Sequence, residues 1–318
     1  MLSSRLWRAW AAAAAMMLPG PVTPAEFSGA ESIVGADPHA VAIGDELWVY
    51  PTGGDGGDRL SAWTTRDLRH WHFRGVILRR DAIGWIDDDG APRHHLWAPA
   101  LIAANGRYYL FYSVGPQNPA PSRIGVAVAE RPQGPFTDSG RPLLTGGEGF
   151  EAIDPMVFRD PANGHFYLYA GGSAGSRLRI YRLADDLLSI AGEVATEQPP
   201  HFTEGAFMHE RGGVYYLSYS HGAWNSAGYS VHYATGPSPV GPWRYRGVLL
   251  QSDAAHQGPG HHSFVRAPVS GDWLIVYHRW PTQGKSAPLK GERHIAIERV
   301  GYAPDGAILP ITMTDAGE

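Results

Sequence analysis

Three carboxylates stand at the heads of similar phrases in this chain: Asp37 in ADPHAV, Asp154 in IDPMVF and Glu204 in TEGAFM. Paired carboxylates on either side of a sugar are the equipment of glycoside hydrolysis. One carboxylic acid protonates the leaving oxygen, and an ionised partner activates water. Their surroundings must drive the two proton affinities apart, and a third carboxylate is a natural device for this. Asp154 can fill that third role. A single Asp-Pro is by default a turn signal. Two Asp-Pro pairs and one Glu-Gly, read at one phase of a repeat, point to chemistry instead.

The repeat is what must position them. An aromatic, alternating strand entered through a Gly- or Asp-containing turn occurs five times: GDELWVY (44–50), NGRYYLFYS (105–113), NGHFYLYAG (163–171), GGVYYLSYS (212–220) and GDWLIVYH (271–278). Ahead of each sits a lead phrase: Asp37-Pro38, Trp97-Ala98-Pro99, Asp154-Pro155, Glu204-Gly205 and Gly260-His261. After the strand come a second strand ending in a polar turn and then a short apolar one, such as GVIL (75–78), PLL (142–144) and GVLL (247–250). Four short strands per unit, repeated five times, predict an all-β, five-bladed β-propeller with four antiparallel strands per blade. In such a ring, equivalent positions face one axis, so distant lead residues converge. The third unit is less regular after 179–182. A β-sandwich would not account for five similar units.

Composition agrees. The chain has 318 residues, 40 of them Gly and 26 Pro, with charged residues at 18%, below the usual quarter. The formal charge of −5, with no basic run, gives nothing that points to a nucleic-acid partner, and none is expected. Cysteine is absent, which removes thiol nucleophiles, Cys-liganded zinc and disulfides. Arg5 and Arg8 followed by an apolar run from Trp10 to Leu18, with Thr23-Pro24-Ala25 beyond, read as a secretory signal peptide over residues 1–25, cleaved near Ala25. The expected organisation is that leader followed by one catalytic domain over 26–318. The expected setting is the bacterial periplasm or the exterior, as a monomer without a membrane anchor.

The ordered phrases resemble glycoside hydrolase family 43: ADPHAVAIGDELWVYPT, TRDLRHWHFRGVIL, LWAPALIAANGRYYLFYS, IDPMVFRDPANGHFYLYAGG, TEGAFMHERGGVYYLSYS, GPGHHSFV and ERHIAIERV. They cover nearly all of the chain beyond the leader. The resemblance implies an inverting hydrolase of arabinose-, xylose- or related furanose-containing glycans, with an oligo- or polysaccharide as its substrate. It implies Asp37 as general base, Glu204 as general acid and Asp154 as the modulator that tunes and orients the acid. It also implies Trp97 as a platform beside the sugar and Arg293 as a contact near the acid. His261 is implied near the axis, where the family accommodates calcium or another cation; no cofactor is required. Ala100 and Ala206 depart from the family pattern at Trp-Ala-Pro-Ala and Glu-Gly-Ala, and both departures leave the carboxylates untouched.

Other residues carry less. His262 competes with His261 for the axial role, and His94-His95 is a second histidine pair. Trp63, Trp71 and Trp243 read as blade packing. Trp85 and Trp224, in the loops 81–95 and 221–228, are the candidate subsite walls. Arg159-Asp160-Pro161 mimics a motif of fructan hydrolases but falls in a turn after Asp154. Two alternatives stay open: a carbohydrate-binding propeller without catalysis, and a retaining enzyme of the fructan type.

Overall fold

A computed structural model describes residues 29–53, 56–173, 175–281 and 287–314. The leader expected over 1–25 lies outside the described residues. Five sheets form the ring. The first holds β1 (Ala36–Ile43), β2 (Glu46–Thr52), β3 (Arg59–Thr65) and β4 (His72–Arg79) in sequential antiparallel order. The second holds β5 (Leu96–Ala104), β6 (Arg107–Val114) and β7 (Arg123–Ala129), with β8 (Thr137–Asp138) and β9 (Leu144–Thr145) sharing the outer edge of β7. The third holds β10 (Met156–Arg159), β11 (Phe166–Ala170), β12 (Arg179–Leu183) and β13 (Ile190–Val194). The fourth holds β14 (Glu204–Arg211), β15 (Val214–His221), β16 (Ser230–Gly236) and β17 (Arg244–Leu250).

The fifth sheet has three strands, β18 (Gln257–Arg266), β19 (Trp273–Trp280) and β20 (His294–Val300). Its outer edge is completed by the start of the described chain. Val34 bridges His294 antiparallel, Gly35 N–H donates to the Arg293 carbonyl at 2.9 Å, and Ile295 N–H donates to that of Ile33 at 3.1 Å. The ring is therefore closed by residues only two to four positions before Asp37. The 301–308 segment, read from sequence as part of this blade, contributes only an isolated Tyr302–Ile308 bridge.

The core lies between neighbouring blades. The aromatic strands are buried because their alternate residues fill those inter-blade layers. Their tyrosines satisfy their hydroxyls on adjoining turns: Tyr50 donates to the Pro132 carbonyl at 3.0 Å and Tyr169 to that of Pro239 at 2.5 Å. Each reaches the turn closing the third strand of the next blade, so the polar turns of the repeat are acceptors for the preceding blade. Among the described residues no helix is long and apolar enough to cross a membrane.

Candidate active site

Each blade opens on the same irregularity. Where the first strand meets the second, pairing slips by one residue: Ala36 pairs Thr52 and then His39 pairs Tyr50; Trp97 pairs Ser113 and then Ala100 pairs Phe111. Glu204 pairs Ser220 before Phe207 pairs Ser218, and Gly260 pairs His278 before Ser263 pairs Val276. The extra residue takes a left-handed backbone in all five blades: Asp37 (φ 49°), Ala98 (44°), Asp154 (55°), Gly205 (60°) and His261 (37°). Only glycine adopts this conformation without strain, so four non-glycine residues here store backbone energy at one locus. A bulge also re-aims the side chain it carries, here that of Asp37, Asp154 or His261.

A ring of hydrogen bonds holds these bulges. Each bulge amide donates to the preceding blade: Ala98 to Thr52 Oγ1 (2.7 Å), Asp154 to Ser113 Oγ (2.9 Å), His261 to Ser220 Oγ (2.8 Å) and Asp37 to His278 Nδ1 (3.1 Å). The third blade offers Gly171 at the matching position, with no side chain. Gly205 N–H instead donates to Asp154 Oδ2 at 3.1 Å. The three carboxylates are thus not in one phase, as the sequence suggested. Glu204 stands one residue before its bulge, at the position of Trp97, while Asp37 and Asp154 are bulge residues.

Asp37, Asp154, Glu204, Trp97, His261, Arg293 and Trp224 line one cavity of about 310 Å³, with Gln117, Ile153 and Ser173. That is the low end of ligand-site volumes, roughly 300–1,000 Å³. Asp37 accepts from Thr52 Oγ1 at 2.8 Å, and Arg293 Nη1 lies 3.3 Å from its Oδ1. Burial raises the proton affinity of Asp37, but Arg293, His261, His278 and Thr52 outweigh it and hold the carboxyl well below the usual range. Burial keeps both imidazoles neutral, so at neutral pH Arg293 and Thr52 are the groups that keep Asp37 ionised. Asp154 goes the other way: burial first, then the charges of Glu204 and Asp37, push it well above the carboxylate range.

Glu204 is 6% exposed. Tyr229 donates its hydroxyl to Oε1 at 2.8 Å and Ser173 to Oε2 at 2.6 Å. Gly172 packs under this side chain: a Cβ there would stand 2.7 Å from Glu204 Cβ. His261 Nδ1 sits 3.4 Å from Asp37 Oδ1 and 3.6 Å from Asp154 Oδ2, between the two carboxyl groups. His262 turns away, bonding Ser218 Oγ at 2.6 Å within the fourth and fifth blades, which leaves His261 as the cavity histidine. Among the described residues no group of three His, Cys, Asp or Glu side chains is arranged to hold a metal. The residues around His261 therefore make no protein cage for the calcium entertained from sequence.

Trp97 lies on His95 with rings 5.5 Å apart and 7° from parallel, and its far edge fills the space above Gly115. Trp224 is 44% exposed, stacks on Trp280 and carries the Arg293 guanidinium 4.8 Å above its ring. Arg293 pairs with Asp37 on the cavity that Glu204 also lines. Trp85 is no subsite wall. It is buried, donates to Asp138 Oδ1 at 2.9 Å and lies under Arg123, because the loop around it folds into the core between the first two blades. His94 is likewise structural, held between Asp87 and Asp89. Asp160 of the Arg-Asp-Pro turn is at the opposite end of β10 from Asp154 and accepts from Tyr215 at 2.6 Å.

Sequence reasoning missed Thr52, Ser173, Tyr229 and His278. Thr52 and His278 end aromatic strands as ordinary polar residues do, and Tyr229 precedes a third strand with nothing to mark it. Only the common position of Thr52, Ser113, Ser220 and His278 relative to the repeat could have flagged these four members of the ring beforehand.

Comparison with known proteins places these features in a lineage. The family description Glycosyl hydrolases family 43 matches residues 32–308. A β-D-galactofuranosidase of Aspergillus niger is 33% identical over 300 residues, covering 89% of this chain and 84% of that protein. A xylosidase/arabinosidase of Bacteroides ovatus is 27% identical, covering 88% and 95%. The solved structure of an α-L-arabinofuranosidase from Clostridium thermocellum superposes with a TM-score of 0.71 at 27% identity, covering 88% of this chain and 94% of that one.

Proposed function

The chain belongs to glycosyl hydrolase family 43 and is a glycoside hydrolase, and we propose that its cavity cleaves α-L-arabinofuranosyl, β-D-xylosyl or closely related furanosyl linkages with Asp37 as base and Glu204 as acid. Family 43 enzymes invert the anomeric centre. Direct displacement then needs a water between base and sugar, for which acid and base stand roughly 6.5–9.5 Å apart. Asp37 takes a proton from that water as its oxygen bonds the anomeric carbon. The glycosidic C–O bond breaks, and the proton of Glu204 goes to the departing oxygen. Asp154 holds the 204–205 peptide through Gly205 N–H and supplies the like charge that keeps a proton in the acidic pair. Trp97 and Trp224 offer aromatic faces to the sugar.

The observation that carries this reading is the opposite proton demand within one cavity: a buried Asp37 held ionised by Arg293 and Thr52, and, beside Glu204, a buried Asp154 whose proton affinity burial and the neighbouring carboxylates raise. A general acid contributes about 10²–10⁴-fold. Glu204→Ala is therefore expected to lose that much on an aryl glycoside whose leaving group needs protonation, and unchanged activity would overturn the assignment. Proton NMR of the first-formed sugar should show the inverted anomer. Nitrophenyl arabinofuranoside, xyloside and galactofuranoside, tested beside arabinan and xylan, identify the sugar. For localisation, we propose export through the leader at 1–25; N-terminal sequencing of the mature protein should begin near residue 26.

A further inference from the structure

Resting on the assignment of Glu204 as acid, we propose that Tyr229 and His278 form one positioning unit that sets both reacting carboxylates, with Tyr229 stabilising the anion that Glu204 becomes as it gives up its proton. The geometry is specific. The two oxygens of Glu204 have different surroundings: Ser173, on Oε2, lines the cavity, whereas Tyr229, on Oε1, does not. The oxygen that meets the glycosidic bond is therefore Oε2. Ser173 yields its place to substrate, and Tyr229 stays bonded throughout turnover. The Tyr229 hydroxyl is a permanent donor, since burial and then the Glu204 charge push its ionisation well above the ordinary tyrosine value.

The ring of Tyr229 is fixed by what lies on either side. A Cβ on Gly260 would stand 1.9 Å from Tyr229 Cε1, so the missing side chain makes the slot that the ring occupies. His278, the ladder partner of Gly260, stacks against the same ring at 5.9 Å and 11°. His278 is fully buried and its Nδ1 accepts the Asp37 amide at 3.1 Å. One imidazole thus braces the donor to the acid through its face and the backbone of the base through its edge. Neither residue touches the space open to substrate.

The test uses two substrates of the same sugar, a dinitrophenyl glycoside that leaves without protonation and an alkyl glycoside that cannot. Tyr229→Phe keeps the stack and removes only the hydroxyl. Losing a donor to the charged form makes proton release harder. The expected result is a fall in kcat of roughly 10–100-fold on the alkyl glycoside, the size of one hydrogen bond to a charged group. Little loss is expected on the dinitrophenyl glycoside, and the basic limb of the kcat profile should move to higher pH. His278→Phe keeps the ring face and removes the acceptor, so it is expected to lower kcat on both substrates by the same factor, because the base serves both. An unmoved basic limb for Tyr229→Phe, or equal losses on the two substrates, overturns the proposal, and this arm decides even if His278→Phe does not fold. Glu204→Ala on the same pair separates the two levels. If it shows no dependence on leaving group, the acid assignment fails; if it does while Tyr229→Phe does not, only the positioning role fails.

Discussion

Arg293 has two attachments, and they explain why a cation tolerates this pocket. Its guanidinium pairs with Asp37 and lies over Trp224, so charge and stacking together hold it. An arginine beside a carboxylate lowers its proton affinity by about 1–3 pH units. Asp37 is a group whose folded-state value is depressed, so the ionised base persists as pH falls until that value is crossed. Removing Arg293 raises the crossing point. Arg293→Met is therefore expected to move the acidic limb of kcat/KM to higher pH by about 1–3 units, with Arg293→Lys recovering part of the shift; an unmoved acidic limb would contradict this electrostatic role. The sequence exposed Asp37, Asp154, Glu204, Trp97, His261 and Trp224 because a repeat phrase marks them or a loop contains them. It mistook Trp85, because whether a loop tryptophan faces sugar or folds inward is decided by tertiary packing alone.

At the scale of the element, the one-residue bulge is the device that turns a blade into a catalytic arm. The strand phrases were legible because aromatic alternation and turn residues recur. The bulge was not, because an inserted residue leaves the hydrophobic pattern on both sides intact. That is why Glu204 looked equivalent to Asp37 and in fact occupies the place of Trp97. The same position in the second blade depends on a glycine: a Cβ on Gly115 would meet Trp97 Cη2 at 2.1 Å. Gly115→Ala is expected to tip the Trp97 ring off its seat on His95. Aromatic–sugar contact is a binding term, so KM should rise about tenfold, an aromatic contact's worth, while kcat changes less. A change confined to kcat would argue that Trp97 is not a platform. The outer edge of the second blade, split into β8 and β9, and the partial fourth strand of the fifth were also beyond sequence reasoning, since edge strands carry little alternation.

For the whole molecule, stability and chemistry share one seam. The closing contacts of Ile33, Val34 and Gly35 with the fifth blade lie next to Asp37 in the chain, and Arg293, the partner of Asp37, lies next to their acceptor strand β20. Ile33 is fully buried, and cutting such a side chain to alanine costs about 2–5 kcal/mol. In Ile33→Ala, hydrolysis is expected to fail at lower denaturant than the tryptophan fluorescence of the other blades. A similar truncation at Val231, equally buried in the fourth blade, should keep the two transitions together. Coincident loss in Ile33→Ala would show that the seam is no weaker than the rest.

The placement of that seam bears on how the enzyme comes into being. A chain made from its amino end presents all three carboxylates once residue 204 has emerged. Its base still lacks the imidazole that receives its amide and the guanidinium that keeps it charged, because His278 and Arg293 come in the final blade. Synthesis that stops early, or a nick that releases the last blade, is expected to leave a product with every acid group in place and no hydrolytic activity, which assay of a chain ended before residue 257 would check. Catalytic competence in this protein is consequently a report on completed assembly, issued only when the last blade has captured the first.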